Sequence, residues 1–532
     1  MALTIEAVTC GMLSAGGFSV KTLRLLPLAI LAGGIAIGNA QAQALTNLTS
    51  LRVAYNTRKA TVQPQGELKA KIDQLDKEIA EATRFGRSAE MRRLFAKGNI
   101  LLSNREWTDV LDYASSIVLR TNHVVADSSK LFDMRIEQIY SPAIELSTDI
   151  KAHVVLRKLP AAPATGTGET VKDLGTFDGV GRDLRDTPFE LELDVHDVPD
   201  GTYSMFLEMF DGTRPLGLTT LRIDLKKGID DLAARLEADA SRAAESLRAD
   251  ILFPVDRMRN VNRGKLELRT FDPDRDFPAA EAVATAAKAG KDPFAGKTGD
   301  FKRHFLLDSA HEIMPYRLYI PATYKASQPS PLIVALHGLG GTEDSFFDGY
   351  EKKLPELAEQ HGYILVAPLG YRVDGGYGWG VGNPPADVNT RRLQERSEQD
   401  VMQMLQLVRR QYNIDENRIY LMGHSLGAIG TWKIAPKYPE IWAAIAPISG
   451  MGAPATLERI RHLPEIIVHG DNDPTVNVSG SRAMVAKLKQ LGAEFRYIEV
   501  PGGNHSSVVV PNLPAILDFF DAHKKTATRV AQ

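Results

Sequence analysis

After the apolar run Ile419-Tyr420-Leu421-Met422 the chain reads Gly423-His424-Ser425-Leu426-Gly427, then small and aromatic residues at helical spacing. A Gly-x-Ser-x-Gly between a strand and a helix leaves one hydroxyl standing at a sharp turn. The flanking glycines remove the Cβ atoms that would collide with it. The same serine is also well suited to cap the following helix, which needs no chemistry. A serine hydroxyl is a weak nucleophile unaided, so the choice depends on a base and a group to orient that base.

Both are on offer downstream. The run 465–473 ends with Asp471 and Asp473 at its carboxyl end, and His505 follows on a Gly-Gly-Asn loop after another apolar run. Asp471 has an alternative role in an Asx turn, and His505 in isolation reads as a surface residue. His424 and His469 are weaker candidates for the base and read as structural. Upstream, His337-Gly338-Leu339-Gly340-Gly341 follows the first strong apolar run. It is either a flexible loop or a source of backbone N–H groups for a developing oxyanion, each worth about 3–4 kcal/mol. In the loop 371–385, Tyr377 and Trp379 are candidates to line an acyl or aryl pocket, or one of them merely anchors a surface loop. Ser397 and Asp400 read as a capping box at a helix start. No cluster of metal-ligand residues is evident, and this chemistry needs no metal or cofactor.

These groups need a framework. From 301 to the end, apolar segments at 331–338, 363–370, 418–425, 443–450, 465–473 and 494–502 alternate with amphipathic helical ones. That pattern predicts an α/β fold with a mostly parallel sheet buried on both faces, its functional groups at the carboxyl ends of the strands. Ahead of it lie a helical segment (45–115) with breaks at Gly86 and Gly98, and a region of period two (116–227) that reads as a small β-sandwich. Residues 228–300 read as helix followed, from 263, by a Pro-, Ala- and Gly-rich linker.

The order Ser, acid, His, with a His-Gly-x-Gly loop before them, resembles the alpha/beta-hydrolase superfamily over residues 301–532. Within it the segment before the elbow resembles the esterase-like branches: polyhydroxybutyrate depolymerases, feruloyl and acetylxylan esterases, and phospholipase/carboxylesterases. The prolyl oligopeptidase catalytic domain is a close neighbour. The resemblance implies Ser425 as nucleophile, His505 as base and Asp473, from the H-G-x-x-D spacing, as its orienting acid. It implies the N–H groups of Leu339 and Leu426 as oxyanion donors. Ala428 departs from the second glycine often found after the elbow. Asp197 to Gly212 resembles the end of an immunoglobulin-like sandwich, where a tight turn leads into a Tyr-containing strand.

The charge of -3 and pI near 6.5 favour neither a nucleic acid nor a membrane surface as partner. Residues 1–44 read as a secretory signal: Lys21 and Arg24, a short apolar run, and Ala40-Gln41-Ala42 or Ala42-Gln43-Ala44 as cleavage sites. Translation from Val20 would give this signal a more usual start. The sole cysteine, Cys10, lies upstream of the apolar run, so a cleaved chain would carry neither disulfide nor stable membrane anchor. The expectation is an exported, periplasmic or extracellular serine hydrolase acting on a small-molecule or polymer ester through an acyl-enzyme, with no particular oligomeric state implied. A prolyl oligopeptidase-type peptidase is the second reading, weakened because propeller repeats are missing from the N-terminal half. A non-catalytic binding protein is the third.

Overall fold

The computed structural model describes residues 48–158 and 168–525. The signal-peptide reading of 1–44, with Cys10, lies outside them. No helix among the described residues is long and apolar enough to cross a membrane.

Eight strands form the C-terminal sheet: β1 (Gly299–Leu307), β2 (Glu312–Ile320), β3 (Ser330–Leu336), β4 (Ile364–Pro368), β5 (Ile414–His424), β6 (Ala444–Ile448), β7 (Glu465–Gly470) and β8 (Phe495–Val500). Their spatial order is β1-β2-β4-β3-β5-β6-β7-β8. From β4 to β8 every pairing is parallel, whereas β2 runs antiparallel to both β4 and β1. Because side chains alternate along a strand, Leu332, Val334 and Leu336 face one layer with Val401, Met404 and Leu405. Ile333 and Ala335 face the other with Leu354, Leu513 and Phe520. Each such burial contributes about 1.5–3 kcal/mol for a large aliphatic side chain. The class is α/β with a mostly parallel sheet, as expected. The six apolar segments became β3 to β8, while the β1–β2 hairpin had not been anticipated.

Before this sheet, the described residues between 117 and 225 form a three-stranded and a five-stranded sheet that share one apolar core. The Tyr203 hydroxyl donates to the Pro199 carbonyl at 2.7 Å, closing the corner before its strand. Among the described residues four helices, Leu48–Val62, Gly66–Arg84, Ser88–Leu101 and Asp109–Ser116, precede it.

Three expectations require correction. Gly98 does not break a helix: it is buried inside Ser88–Leu101, where a Cβ would come within 2.4 Å of the Tyr55 ring. The stretch from 263 is not simply a linker, because Pro273–Lys288 is a helix. Pro273 opens it, Asp272 caps it by accepting from the Arg275 N–H, and Phe277, Ala280 and Val283 join a core with Leu247 and Ile251. Ser397 and Asp400 do not form a capping box. The helix begins ten residues before Ser397, at the cap Asp387, whose carboxylate accepts from the Thr390 N–H at 2.7 Å. Both residues are buried in mid-helix and hold the 371–377 loop: Asp400 accepts from the Tyr371 N–H at 2.5 Å and Ser397 from the Tyr377 N–H at 2.9 Å.

Candidate active site

Three loops at the carboxyl ends of β5, β7 and β8 bring the serine, the acid and the histidine together. Ser425 sits between β5 and the helix Leu426–Ile434 with φ 58 and ψ -116, a conformation a side-chain-bearing residue rarely adopts. The positions two before and two after it must be glycine. A Cβ on Gly423 would lie 2.3 Å from Gly427 backbone, and one on Gly427 would lie 1.9 Å from the Leu336 carbonyl oxygen. Although Ser425 occupies the capping position, its side chain makes no cap hydrogen bond. Its Oγ instead lies 2.8 Å from His505 Nε2.

On the other side of that ring, His505 Nδ1 is 2.7 Å from Asp473 Oδ2. A carboxylate only accepts, so Nδ1 carries the proton and the bare Nε2 accepts from the Ser425 hydroxyl. Asp473 Oδ1 accepts from the N–H groups of Thr475 and Val476 at 2.8 and 3.0 Å. Burial pushes the Asp473 carboxyl up, but His505 and those two amides outweigh it and leave its pKa lowered. Asp471 lies apart: its carboxylate accepts from the Gly502 N–H at 2.6 Å and braces the loop that carries His505.

The loop after β3 approaches from the opposite side. A Cβ on Gly338 would meet the Ser425 Cβ at 3.3 Å, so this turn passes directly over the elbow. His337 pins it, with Nε2 2.7 Å from the Leu369 carbonyl oxygen, and Gly340 N–H donates to Val373. Neither the Leu339 nor the Leu426 backbone N–H has a hydrogen-bond partner among the described residues. The Leu339 side chain is half exposed.

The pocket expectation is not met for Tyr377. Tyr377 is 1% exposed and packs against Gly370 and Gly430, its hydroxyl donating to the His337 carbonyl at 3.1 Å. It props the loop from beneath rather than lining a cleft. Trp379 lies under the Lys437 ammonium, 5.1 Å from its ring centre.

His424 and His469 both pack behind the site. His469 is fully buried, its Nε2 2.9 Å from the Val476 carbonyl oxygen and 3.2 Å from Asp473 Oδ2. His424 contacts Tyr350 and the His505 backbone. Tyr350 had no signal in the sequence, since it lies 74 residues upstream of His424. No group of three or more His, Cys, Asp or Glu suited to a metal ion occurs among the described residues.

An eight-stranded, mostly parallel sheet with a nucleophile-elbow turn after its fifth strand defines an alpha/beta-hydrolase domain. Residues 309–519 match the family model Esterase, described as "Putative esterase". A stretch of 135 residues is 34% identical to feruloyl esterase B of Neurospora crassa, covering 25% of this chain and 44% of that protein. Another of 160 residues is 28% identical to a bifunctional acetylxylan esterase/xylanase of Neocallimastix patriciarum, covering 30% of this chain and 22% of that protein. The chain thus spans less than half the length of these curated relatives. Among solved structures, a thermostable esterase aligns over 77% of this chain and 100% of its own, at 18% identity and a TM-score of 0.35.

Proposed function

We propose that the chain is an exported serine hydrolase that cleaves carboxylic esters through an acyl-enzyme intermediate. One observation carries this reading: Ser425 Oγ, His505 and Asp473 lie in a single hydrogen-bonded line at 2.8 and 2.7 Å. In the first half-reaction Ser425 Oγ attacks the ester carbonyl carbon and its proton passes to His505 Nε2. Asp473 holds the ring in the correct tautomer and stabilises the imidazolium. The carbonyl oxygen becomes an oxyanion within reach of the Leu426 and Leu339 N–H groups, whose free donors support that role. The C–O bond then breaks, and the alcohol leaves with the proton from His505. Water, activated by the same imidazole, attacks the acyl-serine and restores the enzyme.

The names of the relatives suggest feruloyl esters or acetylxylan as the substrate class. The test is a comparison of wild type and Ser425→Ala on p-nitrophenyl acetate, a feruloyl ester and a prolyl p-nitroanilide peptide. The expected result is hydrolysis of an ester and not of the anilide, with kcat about 10⁴–10⁶-fold lower in the variant. Anilide cleavage that depends on Ser425 would move the protein to the peptidases.

A further inference from the structure

Two side chains outside the Ser-His-Asp line bear on the main chain of the base. His424 Nε2 lies 2.9 Å from the carbonyl oxygen of His505, and His424 Nδ1 lies 2.8 Å from the Tyr350 hydroxyl. A carbonyl can only accept, so Nε2 carries the proton. Nδ1 is therefore bare and accepts from the Tyr350 O–H. The tautomer is fixed from one end of the chain to the other: Tyr350 O–H to His424, His424 N–H to His505 carbonyl. Burial pushes His424 down to about 4, which keeps the imidazole neutral at ordinary pH and the relay intact. The two imidazole rings also lie 4.8 Å apart, centre to centre.

The backbone around Tyr350 is unusual in a way that fits this contact. Tyr350, Glu351 and Lys352 are consecutive non-glycine residues at φ 48, 57 and 55, between helices Ser345–Asp348 and Lys353–His361. Such residues cost about 1–3 kcal/mol each and persist where the surroundings over-determine them. The loop that carries His505, by contrast, begins with Gly502 and Gly503. The side-chain bonds of His505 to Ser425 and Asp473 fix its ring but not its carbonyl.

We propose that Tyr350 and His424 are positioning residues which hold the main chain of His505 and, through it, keep Nε2 in line with Ser425 Oγ. This rests on the reading of Ser425 and His505 given above. Neither residue touches a reacting atom. Their effect belongs in kcat, since misplacing a base by about 1 Å can cost about 100-fold.

The experiment uses the full chain, with Tyr350→Phe, His424→Gln, His424→Phe and Ser425→Ala compared on p-nitrophenyl acetate, and folding checked by thermal melting. Tyr350→Phe removes one oxygen and keeps the ring that packs on Phe346. The expected result is a kcat about 10- to 100-fold lower in Tyr350→Phe and His424→Phe, with KM within about twofold. His424→Gln, which keeps one donor and one acceptor, recovers most of the loss. Wild-type kcat in Tyr350→Phe and His424→Phe, or a glutamine variant as impaired as the phenylalanine one, overturns the proposal. An active Ser425→Ala variant would instead overturn the reading of the site itself. The relay is then still read by the downfield proton signal of the His505–Asp473 hydrogen bond, which should shift in Tyr350→Phe; an unchanged signal counts against it.

Discussion

At the scale of single residues, the site depends on which carboxylate faces His505. Asp473 and Asp471 are two positions apart at the end of one strand, and sequence order alone did not separate them. The family spacing selected Asp473, and it is Asp473 that lies 2.7 Å from His505 Nδ1, while Asp471 accepts from Gly502. Asp473→Asn is therefore expected to lower kcat by about 10⁴-fold through the wrong histidine tautomer. Asp471→Asn should cost less than about tenfold, because an amide oxygen still accepts from Gly502. Steady-state kinetics of the two variants on one ester separates the roles, and equal losses would contradict the assignment. The serine, the acid and the histidine were legible because their chemistry demands these types at the ends of strands. Tyr377 was misread for a physical reason: an aromatic in a Gly-rich loop has the same sequence whether it lines a cleft or is swallowed between Gly370 and Gly430.

At the scale of elements, the apolar strands announced themselves and the polar ones did not. β3 to β8 read as apolar runs because most are covered on both faces. β1, Gly299–Leu307, carries Lys302, Arg303 and His304, and is stable there because Asp250 accepts from Arg303 and His304. No local pattern foretells a partner about 50 residues away. The Ser397–Asp400 spacing mimicked a capping box for a similar reason, since a buried polar pair serving a distant loop has the same letters as a cap. A polar group buried in an element also has a thermodynamic signature. Glu465 opens β7 fully buried, with Oε2 accepting from the Trp432 indole N–H at 3.0 Å and Oε1 without a partner among the described residues. Burial pushes it up to about 8. With the folded value above the unfolded one, its contribution is complete below about pH 4 and is lost as pH rises through about 8. Wild type should therefore lose thermal stability between pH 5 and pH 8.5 relative to Glu465→Gln. The variant is expected to melt about 5 °C higher at the upper pH and close to wild type at the lower. A constant offset across that range would show that Glu465 stays in one protonation state.

At the scale of the whole molecule, the hydrolase sheet does not stand free of what precedes it. Helix Glu245–Asn262 lies on the β1–β2 edge through Asp250 to Arg303 and through Asp256, which accepts from the Ile313 N–H at 3.0 Å. Arg303 and Asp250 are both buried. Breaking such a pair leaves a buried charge unmatched and costs about 3–5 kcal/mol. Asp250→Ala is expected to lower the melting temperature by about 10 °C and to leave kcat and KM within about twofold below the transition, because the edge strands lie away from the β5–β8 loops. Calorimetry with kinetics checks both halves. A large loss of kcat in a folded variant would mean the edge communicates with the site. The break between sandwich and sheet was legible as a change of period, and so was helix over 228–262, but the third helix of the layer that joins them, Pro273–Lys288, was not. Its Pro and Ala content resembles a linker until Asp272 and Pro273 are seen to start a helix.

The role proposed for Ser425 is that of nucleophile. It is tested most directly by treating the full chain and Ser425→Ala with a p-nitrophenyl phosphonate and locating the adduct by peptide mass spectrometry. One phosphonyl group on Ser425 of the wild type, in step with loss of ester hydrolysis, and none on the variant is the expected result. An unmodified Ser425 in a chain that still hydrolyses esters, or inactivation through another residue, would contradict it.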